Sequence, residues 1–255
     1  MLQRVILICF ALIHATSALA IGNSFKQDQL RYPRVKVAYL EKAEYLKELY
    51  LDKGISYPPE KIYIRIFKKQ KILELWSWSS ETQAYVLIKS YGICYASGSL
   101  GPKRKEGDHQ VPEGFYHIDR FNPNSSYFLS LRINYPNQSD KKLGHKTRPG
   151  GDIFIHGDCV SVGCIAITDD KIKEIYVISL DARNNGQNTI PVHIYPSRLD
   201  DEEIEELREN YKNLHPFWLN LKQGYDIFEE NRKLPNVRID RSGKYIFSNI
   251  DVRPR

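Results

Sequence analysis

Apolar positions change their spacing along the chain, and this change separates a strand-rich body from a helical tail. Over 38–53 they recur at helical spacing, and Gly54 followed by Pro58-Pro59 ends that helix. Short alternating or continuous apolar runs, bounded by turn residues, predict strands at 61–67, 71–78, 84–90, 92–97, 115–119, 127–134, 151–155 and 191–195. Later helices are predicted from an N-cap at Thr168 to about Leu180, at 200–214 and at 216–231, with a last strand at 244–247.

This order of elements predicts four parts. Residues 1–20 form an export signal, 21–60 a helical lead-in, 61–196 a β-rich α+β domain, and 197–255 a mainly helical C-terminal extension that packs on that domain or on a partner. Within the domain, 98–114 is a long loop rich in Gly, Lys and Pro. Loops of this length in compact domains are often functional.

The first twenty residues have the layout of a secretory signal peptide. Arg4 precedes an apolar stretch at 5–13, and small residues lead to a cleavage site after Ala20. A membrane anchor is the alternative, but the stretch is short for a hydrocarbon layer of about 30 Å, and His14 and Thr16 interrupt it. We therefore expect cleavage after Ala20, a periplasmic mature chain, and no stable membrane span after signal removal.

Composition adds that the chain is globular and basic. Hydrophobic residues make up 42% and charged residues 27%, which excludes global disorder. There are 37 Lys and Arg against 31 Asp and Glu, so the net charge is +6. The charge of an exported basic protein favours an anionic partner such as a cell-wall polymer, although a solvated basic surface fits the charge equally well. Export argues against nucleic acid as a partner.

Three cysteines remain once the signal is removed: Cys94, Cys159 and Cys164. An odd number leaves at least one thiol free unless it pairs between chains, and a free thiol that persists in an oxidising compartment is a candidate nucleophile. The three can form one disulfide, and the sequence does not choose the pair. A Cys94–Cys159 bond would leave Cys164 free, whereas a Cys159–Cys164 bond would silence it.

The strongest candidate chemistry lies in the sequence IHGDCVSVGCIAIT. A predicted strand delivers His156 to a loop bounded by Gly157 and Gly163, and Cys164 follows and leads to the next helix. A thiol near a helix N-terminus and an imidazole gains thiolate character. Such a pair suits acyl transfer, because the thiolate attacks a carbonyl, the imidazole carries the proton and backbone N–H groups hold the oxyanion. A structural Cys and a structural His are the alternative.

A zinc cluster of His156, Asp158, Cys159 and Cys164 is the metal alternative. No C-x-x-C or H-x-x-x-H spacing supports it, and no fourth ligand is evident. We therefore expect no metal. No organic cofactor is expected either, because a thioester stores the bond energy of acyl transfer itself.

The run from Ile155-His156-Gly157 to Ser161-x-Gly163-Cys164-Ile165 resembles the signature of the L,D-transpeptidase catalytic domain (YkuD-like) family. The stretch 98–116 is similar to that family's G…GPK…GD…TPEG.Y pattern, and 122–140 to the strand and loop that follow it. The likeness covers roughly 32–195 and is strongest to the YafK-like branch. The segment around His215-Pro216-Phe217-Trp218 and Gly224 resembles that branch's C-terminal extension.

The resemblance implies a fold and a set of roles. The fold is α+β, with an L,D-transpeptidase-type catalytic domain at 61–196 built of mixed β-sandwich or barrel-like sheets, a helix after the nucleophile and the helical extension. Cys164 matches the nucleophile and His156 its base. Ser161, Gly163 and Gly157 shape the loop, and the N–H groups of Gly163 and Cys164 are the implied oxyanion donors.

The resemblance also implies an exported cysteine acyltransferase that acts on peptidoglycan stem peptides. Cys164 would attack the carbonyl on the L-centre side of a diaminoacid–D-Ala bond, and an amine of another stem or of a wall-anchored protein would take the acyl group. Water in place of the amine would make the chain a hydrolase that trims stems or releases wall-linked protein. A wall-binding or interaction module without turnover is the non-enzymatic alternative.

The chain departs from the family pattern at two motif positions. Val162 replaces the second motif His, and Ala166 replaces the Arg that usually stands two residues after the nucleophile. These departures keep transfer and cleavage both open. Lys103, which matches the family's loop pattern, and Arg148, which precedes Pro-Gly-Gly, are candidate substrate-binding residues, with a solvated side chain as the alternative for each.

Overall fold

A nine-stranded mixed sheet organises the computed structural model, which describes residues 24–248. The strands are β1 Ile62–Phe67, β2 Ile72–Ser79, β3 Ala84–Gly92, β4 Tyr95–Ala96, β5 Gly114–Asn122, β6 Ser130–Ile133, β7 Phe154–His156, β8 Ile165–Ala166 and β9 Ile190–Tyr195. Their order across the sheet is β3-β2-β1-β9-β5-β6-β7-β8-β4. The sheet is large and curled, and the predicted α+β fold class is confirmed.

Six helices and one further strand pair complete the described part of the chain. The helices are α1 Phe25–Leu30, α2 Pro33–Asp52, α3 Gln138–Leu143, α4 Asp169–Asn184, α5 Asp201–Asn210 and α6 His215–Asn231. Strands β10 Asn236–Ile239 and β11 Tyr245–Ser248 form a separate antiparallel pair. None of the helices within residues 24–248 is both long and apolar enough to cross a membrane.

Both faces of the sheet are buried, which explains the nearly continuous apolar run of β1. Ile62, Ile64 and Ile66 lie in one core cluster with apolar side chains of α2 and α4. Tyr63 and Phe67 point the other way and pack in clusters that include side chains of α6. The C-terminal extension therefore packs on the β-rich domain. This is one of the two arrangements expected for it, the other being packing on a partner.

The sheet places the candidate chemistry at its β7–β8 end. Strands β7 and β8 pair in parallel, with His156 opposite Ala166 and Ile155 opposite Ile165. Continuing this register sets Cys164 opposite Phe154. The loop between His156 and Cys164 therefore connects two adjacent strands and returns the chain beside its starting point.

Several predicted elements need correction. The helix predicted at 38–53 starts earlier, at Pro33, because Pro is compatible with the first helical turn. The strand predicted at 92–97 is only Tyr95–Ala96. Thr168 does occupy the position before α4, but its φ is +74° and its side chain makes no capping hydrogen bond. The predicted signal peptide lies outside the described residues.

Candidate active site

His156 ends β7 with its ring buried and its hydrogen bonding fixed. Nδ1 lies 2.6 Å from the carbonyl oxygen of Gly157. A carbonyl oxygen can only accept, so Nδ1 carries the proton and Nε2 keeps its lone pair. Burial lowers the pKa of His156, with the Gly157 carbonyl and the Asp158 carboxylate opposing that change. The imidazole is therefore neutral near pH 7 and can act as a base.

Tyr127 holds the His156 ring from one side. The two rings are stacked, with centroids 4.5 Å apart and an interplanar angle of 29°. The backbone of Tyr127 also packs closely against Gly157. A Cβ added to Gly157 would lie 2.8 Å from the Tyr127 carbonyl oxygen. The sequence did not identify Tyr127 as a site residue.

The two loop glycines serve different purposes. Gly163 has a φ of +88°, so it adopts a left-handed backbone that glycine accepts without strain. Gly157 has no such φ. It is required because a side chain would collide with Tyr127, Asp169 and Ile172.

The Cys164 thiol bonds to the backbone of the neighbouring strand. Its sulfur accepts the Phe154 N–H at 3.4 Å, and its S–H donates to the Asp152 carbonyl at 3.5 Å. Burial raises the pKa of the Cys164 thiol, while the Phe154 N–H and the Lys103 ammonium oppose the rise. The raised pKa runs against the expected thiolate character. Helix α4 begins at Asp169, as the predicted N-cap at Thr168 implied, but strand β8 lies between it and Cys164 along the chain.

A disulfide joins Cys94 to Cys159 and leaves Cys164 free. The bond ties the connection between β3 and β4 to the loop that carries the nucleophile. It resolves the question left open by the odd number of cysteines, and it removes Cys159 from the zinc alternative. Within residues 24–248 there is no group of three or more His, Cys, Asp or Glu placed to hold a metal ion.

The two backbone donors implied for the oxyanion are both occupied by serine hydroxyls. The Gly163 N–H donates to Ser97 Oγ at 2.6 Å. The Cys164 N–H donates to Ser161 Oγ at 3.0 Å. The implied pair of free N–H groups is thus not present in this arrangement. Ser161 is buried and brings its hydroxyl to the nucleophile instead.

A groove of about 430 Å³ brings the candidate catalytic side chains together. It is lined by Tyr95, Tyr127, His156, Cys159, Val160, Ser161, Val162 and Cys164. Three of the predicted site residues therefore share one cavity. Its two tyrosines are distant in sequence from the motif and were not predicted.

A second groove of about 260 Å³ lies on the other side of Val162. It is lined by Lys103, Glu106, Gly107, His109, Gly150, Gly151, Asp152, Ile153 and Val162. The two grooves adjoin, because Val162 lines both, and the second groove holds Asp152, whose carbonyl accepts the Cys164 thiol hydrogen.

The two candidate substrate-binding cations lie in different surroundings. Lys103 is buried in the wall of the second groove, where its Nζ donates to Asp108 Oδ1 at 2.6 Å and to the Lys105 carbonyl at 3.0 Å. Arg148 is exposed outside both grooves, and its carbonyl accepts the Glu106 N–H at 2.9 Å. Ala166, which stands in place of the family's usual Arg, is buried in β8.

Comparison with known proteins gives one family. The family model of the L,D-transpeptidase catalytic domain (YkuD) matches residues 61–194. YafK, a candidate L,D-transpeptidase of Escherichia coli (strain K12), is 42% identical over 189 residues, which cover 73% of this chain and 74% of YafK. The YafK of Escherichia coli O157:H7 matches to the same extent.

Solved structures give weaker likenesses. The helical cell shape determining protein Pgp2 of Campylobacter jejuni is 18% identical with a TM-score of 0.42, over 76% of this chain and 80% of that one. Its K307A mutant is 23% identical with a TM-score of 0.43, and the match spans 68% of this chain and 60% of that one. Bd1075 of Bdellovibrio bacteriovorus is 22% identical with a TM-score of 0.39, over 68% and 62%.

Proposed function

The chain belongs to the L,D-transpeptidase catalytic-domain family, and on that premise we propose that it is an exported cysteine acyltransferase acting on peptidoglycan stem peptides. One observation carries the proposal. A free thiol on Cys164 and an imidazole on His156 with Nε2 available as a base line the same groove. The export signal predicted at 1–20 would take the mature chain to the compartment that holds this substrate.

In the first step of the proposed reaction, the Cys164 side chain rotates away from Asp152 and gives its proton to Nε2 of His156. The thiolate attacks the carbonyl on the L-centre side of the diaminoacid–D-Ala bond and forms a tetrahedral adduct. When the adduct collapses, the C–N bond breaks and the imidazolium returns the proton to the departing amine. A thioester on Cys164 and free D-Ala result.

In the second step, an amine of another stem peptide attacks the thioester. His156 again accepts a proton, here from the attacking amine, and the proton then passes to the departing Cys164 sulfur. The amide forms, the C–S bond breaks and the enzyme returns to its starting state. The groove that Cys164 lines and the adjoining second groove offer separate approaches for the two substrate chains.

Ser161 is the proposed oxyanion donor. Its Oγ accepts the Cys164 N–H at 3.0 Å, which polarises the hydroxyl and leaves its hydrogen free to point into the groove. Preorganised donors of this kind stabilise the negative charge that develops on the carbonyl oxygen. Ser161 thus replaces the two backbone groups that the sequence implied.

The charge beside the second groove fits an anionic substrate. Lys105, Lys146 and Arg148 are exposed, and within the described residues none of them forms a salt bridge. Two backbone hydrogen bonds join the loop around Lys105 to the loop around Lys146. The His145 N–H donates to the Arg104 carbonyl, and the Glu106 N–H donates to the Arg148 carbonyl. The carboxylates of stem peptides complement such a surface, and long-range attraction of this kind speeds association.

Mass analysis of muropeptides tests the proposal. Purified peptidoglycan is incubated with the mature chain, residues 21–255, and with Cys164→Ala as a matched control whose folding is checked by circular dichroism. New cross-links, formed only by the wild type, support transfer. Shortened stems or released wall-linked protein would assign the same nucleophile to hydrolysis. An unchanged muropeptide profile would contradict both reactions and leave the wall-binding module.

A further inference from the structure

Ser97 joins the long loop after β4 to the nucleophile turn. Its Oγ accepts the Gly163 N–H at 2.6 Å, and its O–H donates to the carbonyl of His109 at 2.8 Å. Gly163 immediately precedes Cys164, whereas Ser97 is 66 residues away in sequence. A single hydroxyl therefore connects a distant segment to the backbone that presents the nucleophile.

The segment that carries Ser97 is itself clamped. The Ser99 N–H donates to Gln110 Oε1 at 3.1 Å, and Gln110 Nε2 donates to Ser99 Oγ at 3.1 Å. A Cβ added to Gly98 would lie 2.9 Å from the His109 carbonyl oxygen. The two ends of the loop therefore approach each other as closely as a glycine permits. The position of the Ser97 hydroxyl is thus fixed from both sides.

Glu113 anchors the far end of the loop to the C-terminal extension. Its fully buried carboxylate accepts the Gly101 N–H at 2.7 Å and a Lys68 Nζ–H at 2.9 Å through Oε1. Its Oε2 accepts the indole N–H of Trp218, on α6, at 2.8 Å. The extension therefore supports the loop that holds Ser97 against the nucleophile turn.

We propose that Ser97 is a positioning residue for acyl transfer. By holding the Gly163 N–H, it fixes the peptide plane between Val162 and Gly163, and with it the orientation of the Cys164 N–H and of Ser161. Glycine at 163 populates many backbone conformations, so this turn loosens without that bond. This role rests on the proposed acyl transfer, and Ser97 touches none of the reacting atoms.

The experiment compares acylation with alkylation of Cys164. Acylation by p-nitrophenyl acetate passes through a tetrahedral oxyanion, whereas alkylation by iodoacetamide displaces iodide at a saturated carbon and builds none. The mature chain is measured as wild type, Ser97→Ala and Ser97→Thr. Ser79→Ala is the control, because Ser79 Oγ also accepts a backbone N–H, from Thr82, but in a turn between β2 and β3.

Removing a direct oxyanion donor costs about 100- to 1,000-fold in rate. Because Ser97 acts through the turn, we expect Ser97→Ala to lower the acylation rate about 10-fold while alkylation stays within about 2-fold. Ser97→Thr, which keeps the hydroxyl, and Ser79→Ala are expected to keep the wild-type ratio of the two rates. With a stem peptide as substrate, Ser97→Ala is expected to lower kcat and leave KM nearly unchanged.

A wild-type ratio of acylation to alkylation in Ser97→Ala would overturn the proposal. An equal loss of both rates would also overturn it, because it would show a general structural role. If the wild type is acylated by p-nitrophenyl acetate but turns over no stem peptide, the proposed function fails while the ratio still decides the role of Ser97.

Discussion

The Nδ1–H of His156 donates to the carbonyl oxygen of Gly157 at 2.6 Å, and this contact decides which nitrogen serves as the base. Because Nδ1 already carries a proton that it donates to the carbonyl of the next residue, only Nε2 can take a proton from Cys164. Burial keeps both groups neutral at rest, since it lowers the pKa of His156 and raises that of the Cys164 thiol. The reaction therefore starts from a thiol and an imidazole rather than from a preformed ion pair.

The pH dependence of Cys164 chemistry follows from these two directions. Acyl transfer needs neutral His156, so its rate is expected to rise with pH and to level off at or below the ordinary histidine pKa of about 6.5. Alkylation by iodoacetamide needs the thiolate, so its rate is expected to keep rising with pH and to level off only above the ordinary cysteine pKa of about 8.5. Stopped-flow rates over a pH series measure both. An alkylation rate already at its plateau near pH 6 would point to a preformed ion pair instead.

The cysteine pairing predicts one reactive thiol in the mature chain. Titration with Ellman's reagent in denaturant, without reductant, is expected to find one thiol per chain, on Cys164, because Cys94 and Cys159 are bonded. After reduction, all three cysteines are expected to react. A titre of three before reduction would show that the disulfide is absent.

Replacement of Gly157 by Ala is expected to damage both stability and catalysis. The added Cβ would lie 2.8 Å from the Tyr127 carbonyl oxygen and 3.1 Å from Ile172 Cγ2, and overpacking of this kind costs about 1–3 kcal/mol. The shift would also move the carbonyl that fixes the His156 tautomer. Gly92→Ala is the control, because its Cβ would meet only the flexible end of Lys171 at 3.7 Å. Urea unfolding and acyl-transfer rates compare the two, and equal effects would contradict the proposed role of Gly157.

The burial of His193 predicts that the protein loses stability in acid. It is buried in β9, and burial lowers its pKa to about 3. The unfolded chain, with a histidine pKa of about 6.5, binds a proton that the folded chain does not, so the free energy of unfolding falls as pH decreases from about 6.5 towards 3. Between pH 7 and pH 5 this histidine alone is expected to remove about 2 kcal/mol. Urea unfolding of wild type and His193→Gln checks this, and the same pH dependence in both would contradict it.

The exposed cations beside the second groove predict salt-sensitive substrate binding. Lys146→Gln with Arg148→Gln is expected to raise KM for an anionic stem peptide about 2- to 10-fold at low salt, with little change in kcat. The effect is expected to shrink as NaCl shortens the range of the interaction. Lys36→Gln with Lys53→Gln makes the same charge change at exposed positions in and after α2 and serves as the control. An equal effect of both pairs would show that only the net charge matters.

The catalytic pair was predictable because both members lie in one short stretch of sequence. His156 ends the strand β7, Gly163 is a glycine with a left-handed backbone, and Cys164 stands directly after it. The nearly continuous apolar run of β1 and the helical spacing in α2 likewise reflect how each element is buried. In these places, the local pattern and the tertiary environment require the same residues.

The rest of the site depends on contacts between distant segments. Tyr127 reaches His156, and Ser97 reaches Gly163, through the pairing order of the sheet and the course of the long loop, which no local pattern encodes. The start of α4 was predicted correctly, with Thr168 at the position before the helix. The expectation of a thiolate underestimated burial, which raises the pKa of the Cys164 thiol, whereas strand β8 lies between Cys164 and α4 along the chain.

Intact-protein mass spectrometry of a trapped acyl-enzyme tests the central claim most directly. The mature chain is mixed with a stem tetrapeptide that ends in D-Ala and is quenched in acid at short times. The wild type is expected to gain the mass of the stem peptide minus that of D-Ala, carried on the segment of the protein that contains Cys164. Cys164→Ala is expected to gain no mass. His156→Gln is expected to gain the same mass much more slowly. An adduct that forms equally fast without His156, or no adduct at all on Cys164, would contradict this account.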